Sequence, residues 1–390
     1  LSANGQVWLI NPNGLLIGPN ANINVGGFLG STLNITDQNF LSGNYNFKTV
    51  SSQLSAISNY GNIQAADGGY VVFISPTINN QGNITATAPI PPFDKGGAGG
   101  VFMVSGDDVT LTFANNGLIN LTINKEAAAD ALGIENSGSI IADGGQVSIS
   151  AKVAGDILKT VVNNQGIIQA RTIENKNGVI KLLGSMDNNT IHVGGILDAS
   201  APNGGDGGFI ETSAHNVNLN SPAVTATAPY GKGGTWLIDP TNFLIDALTA
   251  ATYSTTLSAG TNVTVVTSAA GVEPGNITVA SSISKTAGAD ATFTLRAHNN
   301  IIVSDIVSIS STSNALNVVF NADIDGLGGG NIQMRALSSI TTNGGNITFG
   351  GGADPSTTAA MGSAISSPDQ YGIYLNGATL NAGAGNISLR

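Results

Sequence analysis

The sequence predicts an all-β chain wound as a right-handed parallel β-helix with short extra-helical insertions. Three observations carry this. Corners of Asn, Gly and Pro recur every few residues between short apolar runs, so the chain never runs long in one direction. A unit of Asn-x-Gly, strand, small-residue corner, Gly-Gly and strand repeats along the chain. Gly makes up 52 of 390 residues, nearly twice its usual share of roughly 7%. The hydrophobic fraction of 41% is mostly Ile, Val and Leu, with aromatics at 5%, which suits stacked strands better than a centre built on rings.

In chain order, Asn11-Pro12-Asn13-Gly14 is the first strong corner. Pro12 sets φ, Gly14 supplies positive φ, and Asn11 and Asn13 have side-chain oxygens to cap the turn. Gly18-Pro19-Asn20 and Gly26-Gly27 repeat the punctuation. The clearest repeat units run from Asn59 to Ser75 and from Asn136 to Ser150, with related openings at Asn80, Asn115 and Asn164 and a looser copy from Gly194. Their glycines at 61, 82, 117, 138 and 166 indicate a short coil of about twenty residues, lengthened in places by insertions. Two insertions are expected, Pro89–Gly100 and Glu126–Leu132, the second reading as two turns of helix. Roughly 13–19 coils are expected, a rod on the order of 60–90 Å. A β-sandwich predicts hairpins between alternating strands and leaves the matched Gly-Gly positions unexplained.

The register changes between Val217 and Asp246. Ser221–Pro229 reads as a connector, and Trp236-Leu237-Ile238-Asp239-Pro240-Thr241-Asn242 follows, with Trp236 expected to plug the end of a stack. Beyond it the units become Gly-Asn-Ile, at 275, 330, 345 and 385. The segments expected are therefore 1–58, a repeat region 59–238 and a second repeat region 239–390. The chain lacks an initial Met and stops inside a repeat, and it reads as a piece of a longer protein.

A net charge of −11 with only 13 scattered basic residues disfavours nucleic acid and anionic membranes as partners. No apolar run has membrane-spanning length. The absence of Cys suits a chain that crosses an oxidising periplasm unfolded.

Some β-helices act on polysaccharides with paired carboxylates on adjacent coils. The candidates are Asp107 with Asp108, and Asp206 with Glu211 and His215. The Asp107-Asp108 pair follows Gly106 at a corner and Asp206 lies inside Gly204-Gly205-Asp206-Gly207-Gly208, so these aspartates read as ordinary turn residues. His192, His215 and His298 have no metal-ligand spacing. Asp323-Ile324-Asp325-Gly326 lacks the remaining features of a calcium loop. Scattered Thr-x-Thr triplets are too irregular to line one face. No catalytic residue, metal or cofactor is expected. Asn-x-Ser/Thr sequons occur at Asn34, Asn83, Asn120, Asn188, Asn262, Asn276, Asn346 and Asn386, mostly because a corner Asn precedes a Thr-containing strand.

The blocks Asn11–Gly14, Gly18–Ala21 and Gly26–Leu33 together resemble the haemagglutination-type secretion domain of two-partner-secreted exoproteins, of the filamentous haemagglutinin or high-molecular-weight adhesin kind. The block Trp236–Asn242 resembles the segment that closes the first β-helical region in such adhesins. The resemblance implies that 1–58 is the C-terminal part of a secretion domain, and that Asn11, Pro12, Asn13 and Gly14 belong to its export or folding motif. It implies an outer-membrane transporter as partner and a place outside a Gram-negative cell, secreted or on its surface. It further implies an adhesive stalk toward host-cell or matrix glycans or proteins. The alternatives are a non-adhesive scaffold carrying a toxin or haem-protein-binding module, and a polysaccharide-active enzyme. Some adhesins of this kind are glycosylated by a dedicated cytoplasmic enzyme, which makes Asn34, Asn83, Asn120, Asn276 and Asn346 candidate acceptors.

Overall fold

The computed structural model describes residues 1–390 apart from 51–54, 90–96, 98, 114–118, 156–158, 270–272, 328 and 363–367. One parallel ladder runs through the molecule and forms its spine. Its rungs are Ser2–Ile10, Asn22–Ser31, Tyr70–Ile74, Gly100–Ser105, Gln146–Ala151, Val179–Leu183, Phe209–Ser213, Thr235–Asp239, Asn262–Val266, Ala291–Arg296, Leu316–Ala322, Ile347–Gly351 and Ile387–Leu389. At about 4.8 Å per rung the spine is roughly 58 Å long, the short end of the expected range.

Two further faces complete each coil up to residue 225. The second face stacks Leu15–Ile17, Ala56–Asn59, Thr77–Asn80, Gly133–Asn136, Lys159–Asn164, Asn189–Val193 and Asn216–Leu219. The third face stacks the start of Asn22–Ser31 on Asn62–Ala65, Asn83–Thr85, Ser139–Ile141, Ile167–Gln169, Ile196–Asp198 and Ala223–Thr225. After Asp239 two new ladders take their places. One begins at Phe243–Ile245 and ends at Ile373–Leu375, and the other runs from Ile283–Lys285 to Thr379–Asn381. This is the parallel β-helix the repeats predict.

The core follows from strand alternation. Ile57, Ile78, Ile134, Val162, Ile191 and Val217 stand opposite one another down the second face, all inward and buried. Burying each such side chain is worth roughly 1.5–3 kcal/mol, repeated at every rung. The corner Asn residues form a second column. Asn59 donates to Asn80 (2.8 Å), Asn80 to Asn136 (2.7 Å), Asn136 to Asn164 (2.7 Å), and Asn164 to the Gly194 carbonyl (2.9 Å). The glycine two residues on is required because coils touch there. A Cβ on Gly82, Gly138, Gly166 or Gly195 would lie 2.1–2.2 Å from the carbonyl oxygen of the glycine one coil above.

Two expectations need correction, and two more fall largely outside the described residues. Glu126–Leu132 is not helical: Ala127 bridges Val153 in parallel and Ala131 closes a turn onto Ala128, with both alanines fully buried. Seven residues are too few to nucleate a helix alone, and burial in the coil decides instead. The copy at Asn115 lies outside the described residues, as does most of Pro89–Gly100. The strands flanking that copy, Asp108–Phe113 and Ile119–Lys125, pair antiparallel outside the helix, and the glycine column steps straight from Gly82 to Gly138. Trp236 plugs no end. It is a fully buried rung residue between Ile210 and Val263, its Nε1 donating to Thr212 Oγ1 at 3.1 Å.

Two helices were not anticipated. α1 (Asp37–Leu41) is capped by Thr36, and α2 (Ala247–Ser258) by Asp246. The buried positions of α2 (249, 250, 252, 253, 256 and 257) have helical spacing. Its six Ser and Thr residues made that spacing hard to read in the sequence.

Candidate functional site

Asn11–Gly14 form the first corner of the rod. The Asn11 N–H donates to Ser31 of the next coil (2.9 Å), and the Gly14 N–H returns to Asn11 O (3.0 Å). The Asn11 side chain closes the same turn twice, accepting from the Asn13 N–H (3.1 Å) and donating to Gly14 O (3.0 Å). Gly14 has φ +114, and a Cβ there would sit 3.2 Å from Ala56 O. Capping thus falls to Asn11, whereas Asn13 is exposed and its side chain makes no hydrogen bond among the described residues.

Beside this corner a second apolar layer is built on the outside of the spine. The rungs Tyr70–Ile74 and Gly100–Ser105 are buried along their whole length, because both of their faces are covered. Inside is the helix core. Outside lies a three-stranded antiparallel sheet of Tyr45–Lys48, Asp108–Phe113 and Ile119–Lys125. Phe47, Val109, Leu111 and Ile119 pack on Leu29, Val72, Ile74 and Val104 to make a core separate from the main one.

Trp8 fastens the upper edge of this sheet. Its ring lies 5.1 Å from Tyr45, 5.3 Å from Phe40 of α1, 6.0 Å from Phe47 and 6.5 Å from Phe113. Its Nε1 donates to the Tyr70 hydroxyl (3.0 Å), which donates to Gln6 (2.9 Å). Burial pushes the Tyr70 phenol up, against the opposing effect of the Trp8 hydrogen bond.

The candidate carboxylates serve this architecture. Asp108 accepts from Asn46 (2.7 Å) and Asn124 (2.8 Å) and pairs with Lys48 (3.1 Å). Burial acts to raise its pKa, but the bonds from Asn124, Asn46 and Lys48 outweigh it and hold the carboxyl below its usual range. Asp107 pairs with Lys125 at 3.4 Å. Asp206 accepts from the Lys232 N–H, Glu211 pairs with Lys181 (2.9 Å), and His215 meets Met186 O and Thr241. Asp206, Glu211 and His215 therefore have separate partners and form no common site. Asp325 lies 3.1 Å from His298, and the Leu327 N–H leads the contacts that hold its carboxyl low. Among the described residues no three His, Cys, Asp or Glu side chains are placed to hold a metal ion.

Asn34 and Asn120 are exposed, with no side-chain hydrogen bond among the described residues. Asn83 donates to Asn62, and Asn276 and Asn346 accept the N–H of Asn300 and Asn386 in the next coils. The Trp8 cluster escaped sequence reasoning because its members are far apart in the chain. The one signal was the pair of apolar runs at 70–74 and 101–104, which do not alternate as one-sided strands should.

The family model of the TPS secretion domain matches residues 1–199, covering the first corner, the outer sheet and the Asn and Gly columns. The chain belongs to this two-partner secretion family. Among curated proteins, the TPS chain is 32% identical over 205 residues to a heme/hemopexin-binding protein of Haemophilus influenzae, covering 48% of this chain and 21% of that protein. A second heme/hemopexin-binding protein, from the Rd strain of that species, is 29% identical over 190 residues, covering 47% and 19%. The aligned segment is thus about a fifth of those relatives' length. The crystal structure of the HMW1 secretion domain from Haemophilus influenzae superposes with a TM-score of 0.51 at 21% identity, covering 96% of this chain and 80% of that one. At that identity the likeness shows the fold alone. Membership in the family implies an outer-membrane transporter as partner and secretion by a Gram-negative bacterium. No helix among the described residues is long and apolar enough to cross a membrane.

Proposed function

We propose that this TPS chain both initiates export and templates its own folding outside the cell, and that the rod then serves as an adhesive stalk. The observation that carries the reading is the unbroken spine. Ser2–Ile10 is its first rung, and every later rung pairs in register with the one before it. A coil that emerges first and closes its corner at Asn11–Gly14 offers the next segment a preformed edge, as expected of repeat proteins that fold by propagation. Asn11, Pro12 and Gly14 act here as the folding corner, and Asn13 is the member free to meet the transporter. Repetitive lateral faces with no convergent polar cleft among the described residues suit presentation or adhesion better than turnover, so we assign no enzymatic role.

Co-expression with a cognate transporter tests the reading. Gly14→Val is expected to reduce secreted protein at least tenfold while the periplasmic pool is degraded. Asn13→Ala is expected to lower export without lowering the melting temperature of purified chain. Undiminished secretion of both variants would overturn it. Saturable binding of the folded chain to a host-cell and glycan panel tests adhesion. The named activity of the two relatives favours a second reading, in which the protein handles haem or a haem-carrying protein. Haem and hemopexin therefore belong in the same panel, and binding there with none to cells or glycans would select that reading.

A further inference from the structure

Among the described residues, the rod contains one joint at which two of its three ladders break. On the third face the break is filled. α2 lies between Ala223–Thr225 and Ile283–Lys285, and hydroxyls of the helix and its exit satisfy strand edges on both sides: Thr261 Oγ1 accepts from the Ala226 N–H (2.8 Å), and Ser254 Oγ and Ser258 Oγ accept from the Ser284 and Thr286 N–H groups (3.0 and 2.9 Å). On the second face no described residue fills it. Asn216–Leu219 and Phe243–Ile245 belong to different sheets. The coils touch where Thr241 donates to His215 O (3.1 Å), and beyond it the Cα traces of the two strands lie largely more than 8 Å apart. One absent rung between two strands leaves about 9.6 Å, twice the usual spacing.

Both walls of the gap turn main-chain groups into it. Asn220 donates upward to Val193, so by alternation Asn218 also faces up, and Val217 and Leu219 direct their N–H and C=O groups into the gap. Below, Phe243 donates to Asn276 and Ile245 accepts from Ala280, which leaves the N–H and C=O of Leu244 pointing up. The core is also open here. Val217, Leu219 and Phe243 keep 6–8% exposure, whereas Ile191, Val193, Ile277 and Val279 on the adjoining rungs have none. The Asn216 Nδ2 beside the gap is buried without a partner. The cavity measures about 670 Å³, within the ~300–1,000 Å³ of ligand clefts.

We propose that this gap is a strand-acceptor site, filled by an extended segment of another polypeptide. Facing edges one strand apart select main chain over other ligands, because such a segment satisfies donors and acceptors on both sides at once. The inward positions of the walls, Val217 and Leu219 above and Phe243 and Ile245 below, require apolar residues at alternate positions of the guest. Asn218 and the exposed Leu244 accept polar or amphipathic residues between them. The gap lies beyond residue 199, outside the stretch that the family model matches.

The test uses the full chain and a fluorescent five-residue peptide alternating Thr and Val, with amide hydrogen exchange as the second readout. Saturable binding is expected, together with slowed exchange at Val217, Leu219 and Leu244. A peptide N-methylated at alternate residues, which removes the donors it turns to one wall and leaves the protein unaltered, should bind at least tenfold more weakly. Leu244→Pro removes a wall donor that the ladder below does not use and should weaken binding similarly. Equal binding of the methylated peptide, binding without protection of those amides, or no binding would each overturn the proposal. So would amides already protected in the free chain, which would mean the gap is closed from within.

Discussion

Replacing Asn136 by Ala tests whether the buried asparagine column holds the coils together. Asn136 is 1% exposed and makes two short side-chain bonds, accepting from Asn80 and donating to Asn164, each 2.7 Å. Truncation strands the Asn80 amide and the Asn164 carbonyl, both on fully buried residues. Each orphaned group costs about 1–3 kcal/mol, so the expected loss is about 3 kcal/mol, with little relief because neighbouring coils fix the backbone. Asn62 is the control. It makes the same two kinds of bond, to Asn22 and from Asn83, but on an exposed edge. Asn62→Ala should cost a few tenths of a kcal/mol, since water replaces the lost partners. A solenoid need not unfold in one step, so the assay is site-resolved hydrogen exchange. Asn136→Ala should lower the opening free energy of 133–141 and 159–169 and leave 301–303 unchanged. Equal effects from the two substitutions would refute the argument, because burial is the sole difference it invokes.

Four further outcomes are expected. Gly138→Ala places a Cβ about 2.1 Å from Gly82 O and should destabilise by more than about 2 kcal/mol, whereas Gly5→Ala meets nothing within 4 Å and should be near neutral in thermal melts. Burial, helped by Glu211, pushes the Asp239 carboxyl up to about 6, and its Oδ1 is buried without a partner. Between roughly pH 4 and 6 the folded chain therefore holds a proton the unfolded chain has released, and this group's contribution falls as pH rises. Asp239→Asn should abolish that slope and, with solvent screening discounted, stabilise the chain at pH 7 by about 1–2 kcal/mol in denaturant titrations. Trp8→Ala removes the ring that four aromatics contact and should loosen 108–113 and 119–125 by about 2–3 kcal/mol in hydrogen exchange, leaving 262–266 protected. Peptide mapping of secreted chain should find hexose at Asn34 or Asn120 and none at Asn276, whose Oδ1 is tied to the next coil. The reverse distribution would contradict the ladder argument.

Local signals were enough for the coil. The Asn-x-Gly unit is legible because each of its residues answers a local demand: Asn for a corner hydrogen bond, Gly for carbonyls one coil away, and an apolar run for the strand between. The turn at Asn11–Gly14 is likewise encoded in four adjacent residues. By contrast, Trp8, Tyr45, Tyr70 and Phe113 are spread over more than a hundred positions, and no periodicity links them. Their cluster, and the outer sheet it fastens, exist because two spine rungs expose apolar side chains on their outer face. Glu126–Leu132 and Ala247–Ser258 show the same division from opposite sides. A short alanine-rich segment reads as helix and is pulled into a coil, while a threonine-rich one hides its helix until it seals the joint between two ladders. The sequence by itself determined what each corner and rung is made of, since those choices answer to neighbours a few residues or one coil away. Which rungs carry a second layer, and where the ladders break, was decided only in the tertiary structure, because those features depend on surfaces that no single stretch of chain contains.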